Sequence, residues 1–267
     1  EFGFFKSITG FWSSLCVLNE TASGVGDVDS ATKQMVYVIG VSFTAELMLK
    51  AAYEETIGRV FAWQRGADRA PLDDLSAVQA ADYAAFLQQV PWYRWHFRED
   101  AEALRQAATG NLRDRERRFA LGLEYGAKAA YADLIARAVA ATGFDELRLR
   151  MVVSGKPAED LAAYDGITIG ETLPEGIVIE TPRYRILTHL LRSMALDGWQ
   201  FREIAGNDDI LFTALSDQPG HQDAIVSLPR QGYGDFRHLV LVKVTELADQ
   251  IRNLAASGAR LEHVHDY

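Results

Sequence analysis

The hydrophobic periodicity of the chain changes near residue 145, and this change constrains the fold more than any other feature. Before it, apolar residues recur every three or four positions, which is the spacing of amphipathic helices. After it, short runs rich in β-branched residues alternate with single amphipathic helices. The pattern predicts an α+β protein with a helical region over 1–145 and an α+β domain over 146–267. We expect the junction between Gly143, as a helix C-cap, and Leu147.

The first region is predicted to contain five helices, over residues 3–18, 31–63, 73–90, 99–108 and 112–142. The last helix carries an apolar stripe that we expect to be buried, formed by Phe119, Leu123, Ala127, Ala130, Leu134 and Ala138. The longest apolar stretch, residues 35–49, contains Glu46 and is too short to span a membrane, so it predicts a buried core helix. A buried carboxylate needs a partner, and Lys50 and Arg59 are the candidates.

The second region reads as strand–helix–strand from Ile177, then an added strand, then strand–helix–strand again. Two such units with both helices on one face predict a ferredoxin-like α+β sandwich. Its last unit is the clearest, because strand, helix and strand each show a regular apolar pattern, at Leu239, Leu241, Val244, Leu247, Ile251, Leu254 and Leu261. The stretch 216–235 contains glycine and proline and is predicted to be a long loop.

Composition excludes several classes of function. The 267 residues carry a net charge of −10, so nonspecific nucleic-acid binding is not expected. The single cysteine, Cys16, cannot form an intrachain disulfide or a cysteine metal cluster, and its apolar neighbours predict a buried thiol. The dinucleotide-binding glycine pattern, the phosphate loop, the serine nucleophile elbow and the zinc-protease helix motif are all missing, so no cofactor is expected.

Three residues of the helical region are candidates for catalysis. Glu124 and Lys128 lie four residues apart on the helix 112–142, and a desolvated lysine can act as a base or a nucleophilic amine. The more common role of such a pair is a surface salt bridge. Glu46 is the third candidate, and its alternative role is a structural ion pair.

Two further groups are candidates for binding. The segment 91–97 contains Trp92, Tyr93, Trp95 and His96, residue types that are enriched in binding hot spots, although an aromatic plug between the two halves fits it too. Extended alternation would place Trp92 and His96 on one side and Tyr93 and Trp95 on the other. His263 and His265 share a strand face near Asp266, a spacing that suits a metal, and the alternative is a pair of exposed imidazoles on an edge strand.

The aromatic opening of the chain, with Phe2, Phe4, Phe5, Phe11 and Trp12, suggests either a juxtamembrane start or a docked amphipathic helix. Because the first residue is Glu1 and not Met, we expect either a processed protein or a truncated one, and the first alternative implies a missing N-terminal segment near a membrane. The sequence favours a non-enzymatic binding or assembly protein of the bacterial cell envelope, periplasmic or membrane-associated, over a cytoplasmic one. Its expected partner is another protein or a small molecule. The alternatives are a small-ligand sensor that uses the ferredoxin-like half, and an enzyme with a carboxylate and lysine site in the helical region.

Overall fold

A computed structural model describes residues 2–25, 30–66, 68–142 and 147–266. Helices come first and two antiparallel four-stranded sheets follow, which confirms the α+β class. The chain divides into two compact units. The helical unit comprises Glu1–Ile8 and Met35–Asp145, and the α+β unit comprises Thr9–Gln34 and Glu146–Tyr267. The predicted junction at Gly143 lies outside the described residues.

The first six helices are α1 (Phe4–Val25), α2 (Ser30–Tyr53), α3 (Arg59–Arg65), α4 (Pro71–Phe86), α5 (Phe97–Ala107) and α6 (Leu112–Thr142). A π-helical turn, Glu54–Gly58, joins α2 to α3, so one helix runs from residue 30 to residue 65. Helix α4 begins with a proline, whose missing N–H has no partner to lose in the first turn. The bounds of α6 are those predicted, because Asn111 Oδ1 accepts the N–H of Asp114 at 2.7 Å and fixes its first turn.

The β-strands form two sheets with the same internal order. The first contains β1 (Arg148–Ser154), β2 (Thr168–Leu173), β3 (Gly176–Pro182) and β4 (Gln200–Ile204), in the order β2-β3-β1-β4. The second contains β5 (Asp209–Ser216), β6 (Ala224–Pro229), β7 (Phe236–Lys243) and β8 (Arg260–His265), in the order β6-β7-β5-β8. Helix α7 (Tyr184–Leu196) connects β3 to β4, and α8 (Val244–Ser257) connects β7 to β8.

The two sheets are therefore a structural repeat. Helices α7 and α8 begin sixty residues apart, and their buried positions correspond: Leu187 with Leu247, Leu191 with Ile251, and Met194 with Leu254. Both helices are followed by a glycine with positive φ, +96° at Gly198 and +78° at Gly258, a backbone conformation that favours glycine.

The ferredoxin-like sandwich is not confirmed. Two strand–helix–strand units are present as predicted, but each lies in its own sheet, where β1 or β5 separates the two strands that the helix connects. The predicted loop 216–235 contains β6, which completes the second sheet. Helix α8 packs against β4 and α7 packs against β8, so the two repeats share one hydrophobic core.

Candidate functional site in the helical unit

Two lysines and two glutamates form a closed set of ion pairs between α2 and α6. The Nζ of Lys50 lies 3.0 Å from Glu46 Oε1 and 2.9 Å from Glu124 Oε1. The Nζ of Lys128 lies 2.7 Å from Glu124 Oε1 and 3.3 Å from Glu46 Oε1. We call these four residues the charge ring. The structure thus brings the predicted pair Glu124 and Lys128 together with the third catalytic candidate, Glu46, and it adds Lys50, one of the two expected partners of Glu46.

The spacing of the charged residues explains the ring. Each helix contributes a glutamate and a lysine four residues apart, which places both on one helix face. Further towards the C-terminal end of α2, the hydroxyl of Tyr53 donates to Glu116 Oε1 at 2.7 Å, and Arg117 Nη1 donates to Glu54 Oε1 at 2.9 Å. Contacts that advance along α2 move backwards along α6, so the two helices are antiparallel neighbours.

Lys128 also connects the ring to aromatic side chains. Its Nζ lies 5.6 Å from the centroid of the Tyr83 ring and 5.8 Å from that of Phe97, within the range of cation–π attraction. A lysine that contacts two carboxylates and two aromatic faces is well placed to hold helices together. It is poorly placed as a nucleophile, since attack needs a free amine. The catalytic hypothesis for Glu46, Glu124 and Lys128 stays a prediction.

The aromatic candidates lie beside the ring, packed against one another. Residues Trp92–Arg94 form a 3₁₀ turn, so the expected extended alternation is wrong, because Pro91 starts a turn between α4 and α5. Trp92 packs on Tyr131 with ring centroids 5.3 Å apart, and Trp95 stacks on His96 at 4.0 Å. The Nε1 of Trp95 donates to Asp100 Oδ2 at 2.7 Å. Trp92, Tyr93 and Trp95 are half-buried and His96 is exposed. A binding role for these residues stays a prediction.

Two predictions of burial in the helical unit are wrong. On α2, the expected core helix, Tyr37 is 61% exposed, Val41 60% and Leu49 74%. On α6, the expected buried stripe is exposed from Phe119, at 69%, through Leu123, at 67%, to Leu134, at 61%, while its last member, Ala138, lies outside the residues whose burial the structure describes. The periodicity of these stripes is helical, as predicted, but a helix with an apolar face does not reveal whether protein or lipid covers it. Cys16 is likewise exposed instead of buried.

The exposed faces of both helices are uncharged over a long distance. Apart from Glu46 of the charge ring, every exposed residue of α2 between 37 and 52 is uncharged: Tyr37, Val38, Ile39, Val41, Ser42, Ala45, Met48, Leu49 and Ala52. The same holds for α6 between 119 and 131: Phe119, Leu123, Gly126, Ala127, Ala130 and Tyr131. Asp133, whose side chain is 47% exposed and pairs with Arg98, ends this stretch. We call these two surfaces the uncharged faces. Among the described residues, the helix Val36–Arg65 alone is long and apolar enough to cross a membrane, with a mean hydropathy of 1.3.

The histidine candidates lie at the end of the α+β unit. The rings of His263 and His265 are 4.8 Å apart, and Thr188 Oγ1 lies 3.2 Å from His263 Nδ1. Burial lowers the pKa of His263, and burial together with the neighbouring His263 lowers the pKa of His265 to about 4. Asp266 instead accepts a hydrogen bond from Arg183 Nε at 2.7 Å.

Neutral imidazoles are the form that binds metals. Within the described part of the chain, however, no group of three or more histidine, cysteine, aspartate or glutamate side chains is arranged to hold a metal ion. The metal site at His263, His265 and Asp266 stays a prediction.

One polar cluster of the second repeat escaped the sequence reasoning. His238 on β7 is fully buried, and its two ring nitrogens lie 2.8 Å from Ser216 Oγ and 2.8 Å from Ser227 Oγ. Burial lowers the pKa of His238, and the nearby His221 lowers it further. The two hydroxyls provide hydrogen-bond partners for both nitrogens of a neutral imidazole, which explains why a histidine is tolerated in the core. A lone histidine gave no signal, because its partners come from β5 and from the unpredicted strand β6.

Comparisons with protein families, with curated proteins and with solved structures find no match to this chain.

Proposed function

We propose that this chain is a membrane protein of the non-enzymatic binding or assembly class, whose helical unit lies in a lipid bilayer through α2 and α6. The observation that carries the proposal is the pair of uncharged faces. They belong to antiparallel neighbouring helices, and the charge ring places residues 46–50 of one beside residues 124–128 of the other. The two faces therefore lie at the same height along the helix axes, as they must if one layer of lipid hydrocarbon covers both.

The dimensions of α2 support this proposal. Residues 36–53 make about 27 Å of helix at 1.5 Å per residue, close to the hydrocarbon thickness of roughly 30 Å. Only 17% of the most apolar window of the helix Val36–Arg65 is buried by protein. Covering a large apolar side chain contributes about 1.5–3 kcal/mol. A bilayer supplies this cover to both helices at once.

The charge ring also suits a membrane. Ionised side chains at membrane depth are expensive unless they pair with one another and face neighbouring helices. The ring has two positive and two negative members, and all four take part in contacts between α2 and α6 or within them. We therefore infer that the ring fixes the register of the two helices inside the bilayer, while the α+β unit supplies a surface for a partner.

Alkaline carbonate extraction of membranes tests the proposal. We expect the full chain to stay in the membrane pellet, and Val41→Asp combined with Leu123→Asp to release a large fraction. A charge costs about 2.5–3.5 kcal/mol at the centre of a bilayer helix, whereas an exposed position in water tolerates it within about 0.5 kcal/mol. The matched control is Ile225→Asp, an apolar position on β6 that is 49% exposed. Complete release of the unsubstituted chain by carbonate would refute the proposal.

A further inference from the structure

A cavity of about 340 Å³ opens where α3 ends and where α4 and α6 begin. Three arginines line it, Arg65, Arg69 and Arg113, together with one acidic residue, Asp68. Its apolar lining includes Phe61 and Leu112. Among the lining residues arginines therefore outnumber carboxylates, and Asp73, Asp74 and Glu116 pair with these arginines from outside the lining. The charged part of the wall adjoins a hydrophobic part.

We propose that this cavity binds the phosphate headgroup of an anionic phospholipid. The inference rests on the proposed function, since it takes the end of the membrane helix as the position of the headgroups. It adds a ligand and a site that the uncharged faces do not define.

The cavity lies at the level where headgroups are expected. On α2–α3 it begins at Phe61, about two helical turns after residue 53, and on α6 it lies at Leu112, about two turns before residue 119. Because the helices are antiparallel, the end of α3 and the beginning of α6 lie at the same height along the helix axes. Trp63, two residues after Phe61, is 84% exposed, and tryptophan is enriched at membrane interfaces.

The carboxylates around the cavity orient the arginines. Arg113 Nε lies 2.9 Å from Asp73 Oδ1, and Arg65 Nη1 contacts the other oxygen of the same carboxylate. Burial alone would raise the pKa of Asp73, but hydrogen bonds from the N–H of Ala70 and from both arginines hold it below its usual value, so Asp73 is ionised. The two guanidinium groups are thereby fixed at one wall of the cavity.

These contacts leave donors for an anion. A guanidinium has five N–H donors, and the Nε of Arg65 is buried without a hydrogen-bond partner. Arg69 pairs with Asp74 at the surface, where its side chain remains 57% exposed and can turn towards a ligand. A phosphate accepts several such bonds, and arginine is the residue type best matched to it. The apolar wall at Phe61 and Leu112 favours a phospholipid, whose glycerol and acyl carbons would contact it, over a free phosphate.

Titration of the detergent-solubilised full chain tests the site. The probes are short-chain phosphatidylglycerol, short-chain phosphatidylcholine and inorganic phosphate, each followed by calorimetry. We expect phosphatidylglycerol to bind more tightly than the other two. Arg69→Gln should weaken its binding about fivefold, the factor that corresponds to roughly 1 kcal/mol per arginine near an anionic lipid surface. Binding of phosphatidylcholine should not change.

Arg105→Gln is the matched control. Arg105 is 58% exposed and pairs with Glu102 on α5, much as Arg69 pairs with Asp74, but it does not line the cavity. Equal affinity for the two lipids, equal loss with both variants, or inorganic phosphate binding as tightly as phosphatidylglycerol would each overturn the inference. Carbonate extraction reports separately on membrane insertion. A chain that is retained in membranes yet shows no lipid preference would refute the lipid site and leave the proposed membrane insertion standing.

Discussion

Lowering the pH from about 7.5 to about 5 should destabilise the α+β unit through His265. The folded protein holds the pKa of this imidazole at about 4, and the ordinary value is 6.5. Between these values the unfolded chain binds a proton that the folded chain does not. Stability is therefore present above pH 6.5 and is lost as the pH falls towards 4. His263 and His238, whose pKa values are also lowered, change stability in the same direction.

The size of the effect follows from the shift. One pKa unit corresponds to about 1.4 kcal/mol, so His265 alone would contribute at most about 2 kcal/mol between pH 7.5 and pH 5. The imidazole of His265 is partly exposed, so solvent screening reduces the effect and leaves about 1 kcal/mol from His265. The neighbouring Arg237 disfavours the charged imidazole, whereas Asp266 and Glu262 favour it.

Hydrogen exchange of the intact chain, read by mass spectrometry at several pH values, measures this loss in peptides from β5 and β8. Protection corrected for intrinsic exchange should decrease as the pH falls below 6.5. His265→Gln should make the decrease smaller, while His189→Gln, at an exposed position of α7, should leave it unchanged. Protection that is constant or rises on acidification down to pH 5 would refute the reasoning about all three imidazoles.

Two other predictions concern the repeat and the charge ring. Leu187→Ala and Leu247→Ala remove corresponding, fully buried side chains and should each cost about 3–5 kcal/mol, seen as similar losses of exchange protection; a neutral result for either would contradict the shared core. Glu124→Gln leaves two lysines with one carboxylate and should cost about 2–3 kcal/mol, measured as increased protease susceptibility of α6. Glu102→Gln, at an exposed pair, should increase it less, and equal susceptibility of the two variants would argue against the charge ring.

Local patterns predicted most of the secondary structure. The helix 112–142 and the strand–helix–strand pattern from Phe236 onward were predictable because each has a clear period and clear end signals. Strand β6 was missed, because its neighbourhood contains glycine and proline and it pairs only at a sheet edge. The repeat could not be recognised from the sequence, since corresponding positions in the two halves of the α+β unit are both apolar more often than they hold the same residue type.

The candidate site was predictable in its residues and not in its assembly. Glu46, Glu124 and Lys128 stood out as charges on apolar helices, but their convergence depends on α2 and α6 being antiparallel neighbours. The exposure of Val41 and Leu123 could not be predicted, because an apolar helix face has the same sequence pattern against protein and against lipid.

Spin-label accessibility tests the central claim, that lipid covers the uncharged faces, most directly. With Cys16 replaced by serine, a single label is placed at Met48 on α2 or at Ile225 on β6, which have similar exposures of 46% and 49%. In reconstituted vesicles, the label at Met48 should collide frequently with oxygen, which concentrates in hydrocarbon, and rarely with a water-soluble nickel complex. The label at Ile225 should show the reverse. Equal, water-like accessibility at both positions would contradict the account.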